Sequence, residues 1–354
     1  MSSSITATQS TVHGASRWLI PGSVVALFLA VLGGVMIGPA GPTWWRVPLE
    51  LLNRLPLISI DSGMTSTEWA IIWQIRAPRV VLAALVGSTL SIAGASYQGV
   101  FRNPLVDPYL LGVAAGAGLG ATIVITVNRS GSSGWIIDPL PLSAFVCGLA
   151  AVLVTYVVGS RAAGERTTTT LVLSGVAVSS LATAMQTFLL QRNSDVVRQV
   201  YSWILGRLST ATWSDVRLVI PYVLISTVAL LMHRRLLDVL RVGDEEARAL
   251  GVDVSRVRLI VVIAATLGTA AVVAVSGLIG FVGIIVPHAI RLVVGSSYRI
   301  VLPMSLLLGA VFLIVADIPG RILDNPAETP IGVVTAFLGA PFFLLILRTR
   351  QAQR

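Results

Sequence analysis

Long apolar runs separated by short polar connections dominate this chain. Runs near the ~20 residues that a helix needs to cross a bilayer fall at 18–38, 78–98, 108–127, 140–159, 169–190, 214–233, 258–277, 279–294, 301–317 and 331–347. The pattern predicts an all-α polytopic membrane protein with about ten transmembrane helices. A cytoplasmic disordered tail over 1–17 would precede a single membrane domain over 18–347, and a short cytoplasmic tail over 348–354 would follow it. Residues 1–16 are polar and Ser/Thr-rich, without a basic start or a cleavage site after the next apolar run, so a tail fits better than a signal peptide. Gly280 and Pro287 predict a broken or re-entrant segment, which is tolerated where irregular backbone lines a cavity or is buried in protein. Gly112, Gly116 and Gly120 recur every four residues, a spacing that lets a neighbouring helix backbone approach closely.

Composition places the chain in a membrane. Hydrophobic residues make up 55%, charged residues 12%, and the mean hydropathy is +0.86. Soluble domains carry about 25% charged residues, and no long polar segment is left to build one. All 25 basic residues are Arg. A nucleotide-binding P-loop needs its Lys to reach the phosphates, so the chain is not a P-loop ATPase. The net charge of +9 comes from Arg scattered among apolar runs, a pattern of membrane topology rather than of nucleic-acid binding. With the N-terminus inside, 15 Arg fall in inner segments and 10 in outer ones, and an even number of spans puts the C-terminus inside as well. The single Cys147 excludes an intrachain disulfide and a Cys-based metal cluster.

Catalytic chemistry is hard to place. His13, His233 and His288 have no second ligand at metal spacing, and no metalloprotease or serine-hydrolase motif occurs. The 16 acids lie in loops or at span ends. Asp317 is the nearest to an intramembrane acid, and a boundary residue facing water or pairing with Arg321 accounts for it. An ion-coupled secondary transporter, the alternative reading, needs a driving-ion site that these acid-poor spans do not supply.

The inner segment 234–257 is more informative. Asp244, Glu245 and Glu246 follow Gly243, Arg248 comes late, and Gly251 closes the run. Acids first, a cation last and a terminal Gly predict a short helix with its macrodipole satisfied. Ala247 and Leu250 would give it an apolar face. Such a helix suits docking into a partner's groove; a solvated connector has the same pattern.

Several stretches, in order, carry a family resemblance: Gln74-Ile75-Arg76-Ala77-Pro78-Arg79, Gly94-Ala95-Ser96-Tyr97-Gln98, Arg102-Asn103-Pro104-Leu105-Val106-Asp107-Pro108, Leu173-Ser174-Gly175-Val176-Ala177, the 243–251 loop, Gly280-Phe281-Val282-Gly283 through Pro287-His288, Ala316-Asp317, and Glu328-Thr329-Pro330-Ile331-Gly332. From about Trp69 to Leu347 the chain resembles the FecCD permeases of ABC importers for ferric siderophores, haem and vitamin B12. The resemblance implies a type II importer fold in a bacterial inner membrane and a homodimer, or a pair with a closely related permease, with the substrate path at its interface. It implies two cytoplasmic ATPase subunits, which would bind the ATP and Mg, and a substrate-binding protein on the outer face; no cofactor is expected on this chain. Carried over by position, Gly243, Asp244, Glu245, Ala247, Arg248, Leu250 and Gly251 would couple to the ATPase. Arg76, Arg79 and Arg321 would be outward docking residues, with interfacial anchoring as the plain alternative for the first two. Asn103, Leu105, Thr168 and Thr169 would form the inner gate. His288 belongs to the family motif whatever the cargo, so a buried structural role is expected of it rather than haem ligation. A ferric siderophore is the first expectation for cargo, with vitamin B12 and haem next.

Overall fold

The computed structural model describes residues 4–39, 41, 43–54, 62–128, 138–161, 168–323 and 327–351. Among them the secondary structure is entirely helical. In chain order the helices are α1 (Ser4–Met36), α2 (Arg46–Asn53), α3 (Ser66–Ala70), α4 (Ala77–Val100), α5 (Val113–Val127), α6 (Pro139–Arg161), α7 (Thr168–Arg192), α8 (Val197–Ile204), α9 (Trp213–Met232), α10 (Arg234–Leu240), α11 (Asp244–Ala249), α12 (Val254–Ser276), α13 (Val282–Val294), α14 (Tyr298–Ile322) and α15 (Ile331–Gln351). The ten expected spans correspond to α1, α4, α5, α6, α7, α9, α12, α13, α14 and α15. Seven spans are long and apolar enough to cross a bilayer outright; α5, α13 and the apolar part of α15 are shorter.

The spans surround α4. A wide π-helical turn, Ile71–Arg76, joins α3 to α4 in one rod. The Pro78 ring would crowd the carbonyl of residue 74 in a regular helix, and the wide turn lies where it relieves that crowding. The rod Ser66–Val100 and helix α12 are each 78% buried over their most apolar window, against 22% for α1 and 28% for α7. So α4 and α12 form the centre and α1 and α7 the periphery. Helix α4 packs on α14, α12, α13 and α9.

Bare backbone sets these approaches. A Cβ on Gly87 would lie 2.2 Å from the Gly309 carbonyl oxygen of α14, and one on Gly309 2.4 Å from that of Gly87. A Cβ on Gly94 would lie 2.2 Å from the Gly283 oxygen of α13. Helices α5 and α6 meet in the same way, with Gly116 against the Cys147 carbonyl and Gly120 against that of Ser143. Gly112 departs from the expected single face. At φ 91° it ends the 3-10 turn Pro108–Leu111 and starts α5, so it redirects the chain, and its surroundings are side chains of α7 and α6 rather than a bare helix backbone. That turn shortens α5, and the Asp107 side chain caps it by accepting from the Tyr109 N–H at 2.8 Å.

Two further expectations change. The stretch 1–17 is not a disordered tail over its described part, because α1 reaches back to Ser4; extending a helix already nucleated by an apolar span costs far less than starting one. The break near Gly280 is present, at Gly277 (φ 70°) and Phe281 (φ 69°) between α12 and α13. Pro287 does not break its helix and lies inside α13. A proline cannot donate to the carbonyl four residues back, which here is that of Gly283. The Gln98 amide Nε2 of α4 takes that place at 2.9 Å and also donates to the Val106 carbonyl at 3.2 Å. His288 is buried as expected, edge-on to Phe342 at 5.9 Å.

Gly94→Val is expected to destabilise the protein by about 1–3 kcal/mol through overpacking, because the obstructing atom is backbone. Thermal unfolding of the purified protein would record a lower Tm than for Ala93→Val, a buried α4 control with a Cβ already in place.

Candidate functional site: two charged ends of the bundle

The rod from Ser66 to Val100 carries charged groups to both ends of the bundle. At its start, Arg76 and Arg79 lie one helical turn apart. Arg79 donates to both oxygens of Asp317 on α14, Nε to Oδ2 at 2.8 Å and Nη2 to Oδ1 at 2.9 Å, and through Nη1 to Glu328 Oε2 at 2.7 Å. Arg321, one turn beyond Asp317 on α14, donates from Nε to Asp317 Oδ2 at 2.7 Å and pairs through Nη2 with the same oxygen. Both flanking arginines reach the last turn of α1. Arg321 Nη1 donates to the Gly34 carbonyl at 2.8 Å, and Arg76 Nη1 to those of Val35 and Met36 at 3.1 and 3.0 Å. Cations at a helix C-terminus satisfy its free carbonyls and its dipole.

The three arginines expected outside therefore do meet at one end, but not as exposed rim charges. Arg76, Arg79 and Arg321 are 5%, 7% and 2% exposed. A guanidinium in an apolar bundle is held by carboxylates and carbonyls close by, and Asp317, Glu328 and α1 supply them. Asp317 pairs with Arg321, as expected, yet is buried between two arginines rather than facing water. Sequence reading missed Glu328 as a partner of Arg79; its only signal was its place in the matching Glu328-Thr329-Pro330 stretch. A cavity of about 640 Å³ opens beside the pair, lined also by Arg198, Arg207 and Asp195. Trp69, Trp73 and Trp213 cluster at this end, with centroids 5.9 and 5.1 Å apart, as suits indole rings, which are enriched at membrane interfaces. Nearby, the Ser62 hydroxyl and then the Arg54 guanidinium hold the Glu50 carboxyl below its ordinary range.

At the other end of the rod lies α11. Gly243 (φ 142°) and Gly251 (φ 81°) bound it, in the backbone region that favours glycine. Ala247 is fully buried, whereas Leu250 is 69% and Val242 62% exposed. The apolar face expected of Ala247 with Leu250 is thus divided: Ala247 anchors α11 to the bundle, and Leu250 points out with Val242. Glu245 and Arg248 are exposed. Asp244 holds two arginines, Arg258 of α12 and Arg102 just after α4, each at 3.1 Å. Arg102 is left-handed at φ 49° and directly precedes Asn103. The Asn103 Oδ1 accepts from the Leu105 N–H at 3.0 Å, closing a tight turn with Leu105 39% exposed. Thr169 is exposed in the first turn of α7; the Thr168 side chain lies outside the described residues. Sequence reading did not find the Arg102–Asp244–Arg258 link, since nothing local joins residues so far apart in the chain.

Helix α7 adds a feature that sequence reading also passed over. Ser179, Ser180, Thr183, Thr187 and Gln191 follow one face at helical spacing and line a groove of about 940 Å³ with Tyr109 and Phe188. The four-residue interval was legible in the sequence.

Ten spans, nine of them around the buried central rod that carries α4, with a short amphipathic helix at one end, define a polytopic membrane permease. The chain belongs to the FecCD transport family, whose model matches residues 24–349. It is 42% identical to the cobalamin import system permease protein of Halobacterium salinarum, over 87% of this chain and 81% of that one. It is 38% identical to the hemin transport system permease protein of Yersinia pestis, over 86% of this chain and 95% of that one. A solved structure described as an inward-facing metal-chelate type ABC transporter superposes with a TM-score of 0.80 at 28% identity, covering 94% of this chain and 99% of that one. The chain is the membrane-spanning permease subunit of an ABC importer.

Asp317→Asn is expected to cost about 3–5 kcal/mol, because it leaves buried guanidinium groups uncompensated. Thermal unfolding in detergent would show a large fall in Tm. Glu328→Gln removes a half-exposed partner and should cost clearly less.

Proposed function

We propose that α11 is the docking element for a cytoplasmic ATPase and that the permease imports a large metal chelate by alternating access. The observation that carries this reading is the geometry of α11. It presents Leu250 and Val242 outward while Asp244 ties it to Arg102 at the turn 103–105 and to Arg258 at the start of α12. A push on α11 would then move the Asn103–Leu105 turn and the central helices together, a rigid-body transition of packed helices. The end bearing α11 faces the cytoplasm in this reading, as the Arg distribution favours, and both termini lie on that side.

The polar row on α7 supports a path along that face. In a bilayer such a row is best placed against water or protein, and a second copy of the chain would enclose it. A substrate-binding protein would dock at the opposite end, over Arg79 and Glu328. To use the Arg79 guanidinium, an acidic group of that protein would have to displace Glu328. The related cobalamin and hemin permeases, and the metal-chelate description of the structural neighbour, support a cargo among bulky metal complexes. A ferric siderophore, vitamin B12 and haem all belong to that class. ATP and Mg would be bound by the ATPase alone.

Reconstitution with the cognate ATPase and binding protein tests the proposal: uptake should require ATP and be insensitive to ionophores, and uptake without ATP would refute it. Leu250→Asp should weaken ATPase co-purification by at least about tenfold, given the 1.5–3 kcal/mol of a buried Leu. Arg102→Gln should leave the ATPase bound and hydrolysing while uptake falls, because only the link to the turn is cut.

A further inference from the structure

Beside the Arg102 turn lies a cluster of cations, two of which, Arg241 and Arg291, have no part in these roles. A cavity of about 240 Å³ sits between the end of α4, the turn after it, the end of α10 and the start of α14. Arg102, Arg241 and Arg291 line it with Gln98, Ser296 and Tyr298, and no carboxylate is among its lining residues. Two acids lie nearby, and each reaches one of the outer arginines, Arg102 or Arg241, but not Arg291. Asp244 holds Arg102 and Arg258. Asp238 accepts from the Ser297 hydroxyl and the Tyr298 N–H at 2.9 and 2.7 Å, and approaches Arg241 only to 3.8 Å. Arg241 otherwise donates to the Ser296 carbonyl at 2.9 Å.

Arg291 is the informative member. Its Nη1 donates to Gln98 Oε1 at 2.7 Å, and its guanidinium lies 5.6 Å from the Tyr298 ring centroid. Its Nη2 is buried and meets no acceptor in hydrogen-bonding geometry, although the Tyr298 hydroxyl lies close to the guanidinium. Gln98 cannot supply one, because its amide nitrogen is fixed on the Gly283 and Val106 carbonyls and its oxygen is already turned to Arg291. Buried charges are normally paired and buried donors satisfied. Arg291, with that unmet N–H beside two more guanidiniums, has no carboxylate partner among the described residues. At roughly 30 Å³ of liquid volume per water, the space holds a small tetrahedral oxyanion with a few waters and is far too small for a metal chelate.

We propose that this cavity binds a phosphate-type oxyanion, free or as the headgroup of a phospholipid, held by Arg291, Arg241 and Arg102. The guanidinium fork matches phosphate oxygens in geometry and charge. The inference stands independently of the transport reading, since it concerns a site on the permease chain alone.

The test uses the purified full-length chain in detergent. Inorganic phosphate is titrated against sodium chloride at matched ionic strength with Tm as the readout. In parallel, native mass spectrometry compares retention of phosphatidylglycerol with that of diacylglycerol, which lacks the phosphate. A saturable Tm rise specific to phosphate identifies the free ion; selective retention of phosphatidylglycerol identifies the lipid headgroup. Either effect should weaken about tenfold in Arg241→Gln, the loss of one charge-assisted hydrogen bond. Arg241 is exposed enough for the variant to fold, and an unchanged Tm without ligand checks this. Arg291→Lys should bind more weakly than the parent, and Arg198→Gln, at the opposite end, should bind as the parent does. The proposal is overturned if neither probe differs from its control, or if binding is indifferent to both Arg241→Gln and Arg291→Lys.

Discussion

Direct contact between helix backbones at Gly87–Gly309 and Gly94–Gly283 governs the architecture. In lipid there is no hydrophobic force to drive helices together, so close packing and hydrogen bonds decide how they associate. Removing the side chain at these crossings lets α4 sit in a ring of neighbours with most of its surface covered. Once α4 is central, its two ends become the only places where its polar groups can emerge. Arg76 and Arg79 mark one end, and Gln98 with the Arg102 turn marks the other.

The two ends handle charge differently. At the Arg79 end, three guanidiniums are balanced by Asp317, Glu328 and the free carbonyls of α1, giving a closed network. Such a network fixes how α1, α4 and α14 meet. At the α11 end, Asp244 is shared by two arginines from different elements, so the short helix, the turn and α12 are held by a single carboxylate. The Arg102 half of that link is exposed, and an exposed ion pair is worth little and is cheaply broken. The first arrangement suits a fixed scaffold, and the second suits a part that moves.

Much of this was legible in the sequence. Apolar run length marked all ten spans, because a bilayer demands one continuous apolar stretch for each helix. The helix 244–249 was readable from its acids and bounding glycines, which are local signals. The partners of charged groups were not readable. Arg79 meets Asp317 and Glu328 more than two hundred positions away, and periodicity says nothing about such pairs. For the same reason Arg76, Arg79 and Arg321 looked exposed: a guanidinium near a span end reads as interfacial unless its distant carboxylates are known. Pro287 looked like a break because the donor that compensates for it comes from another helix.

That compensation binds two positions into one unit of heredity. Any residue other than proline at 287 would bring a second donor to the Gly283 oxygen, and Gln98 would share one of the three contacts that fix its amide. Any residue other than glutamine at 98 would strand that oxygen for as long as proline remained. Proline at 287 is therefore tolerated only while position 98 carries a donor, so the order in which the two can change is fixed.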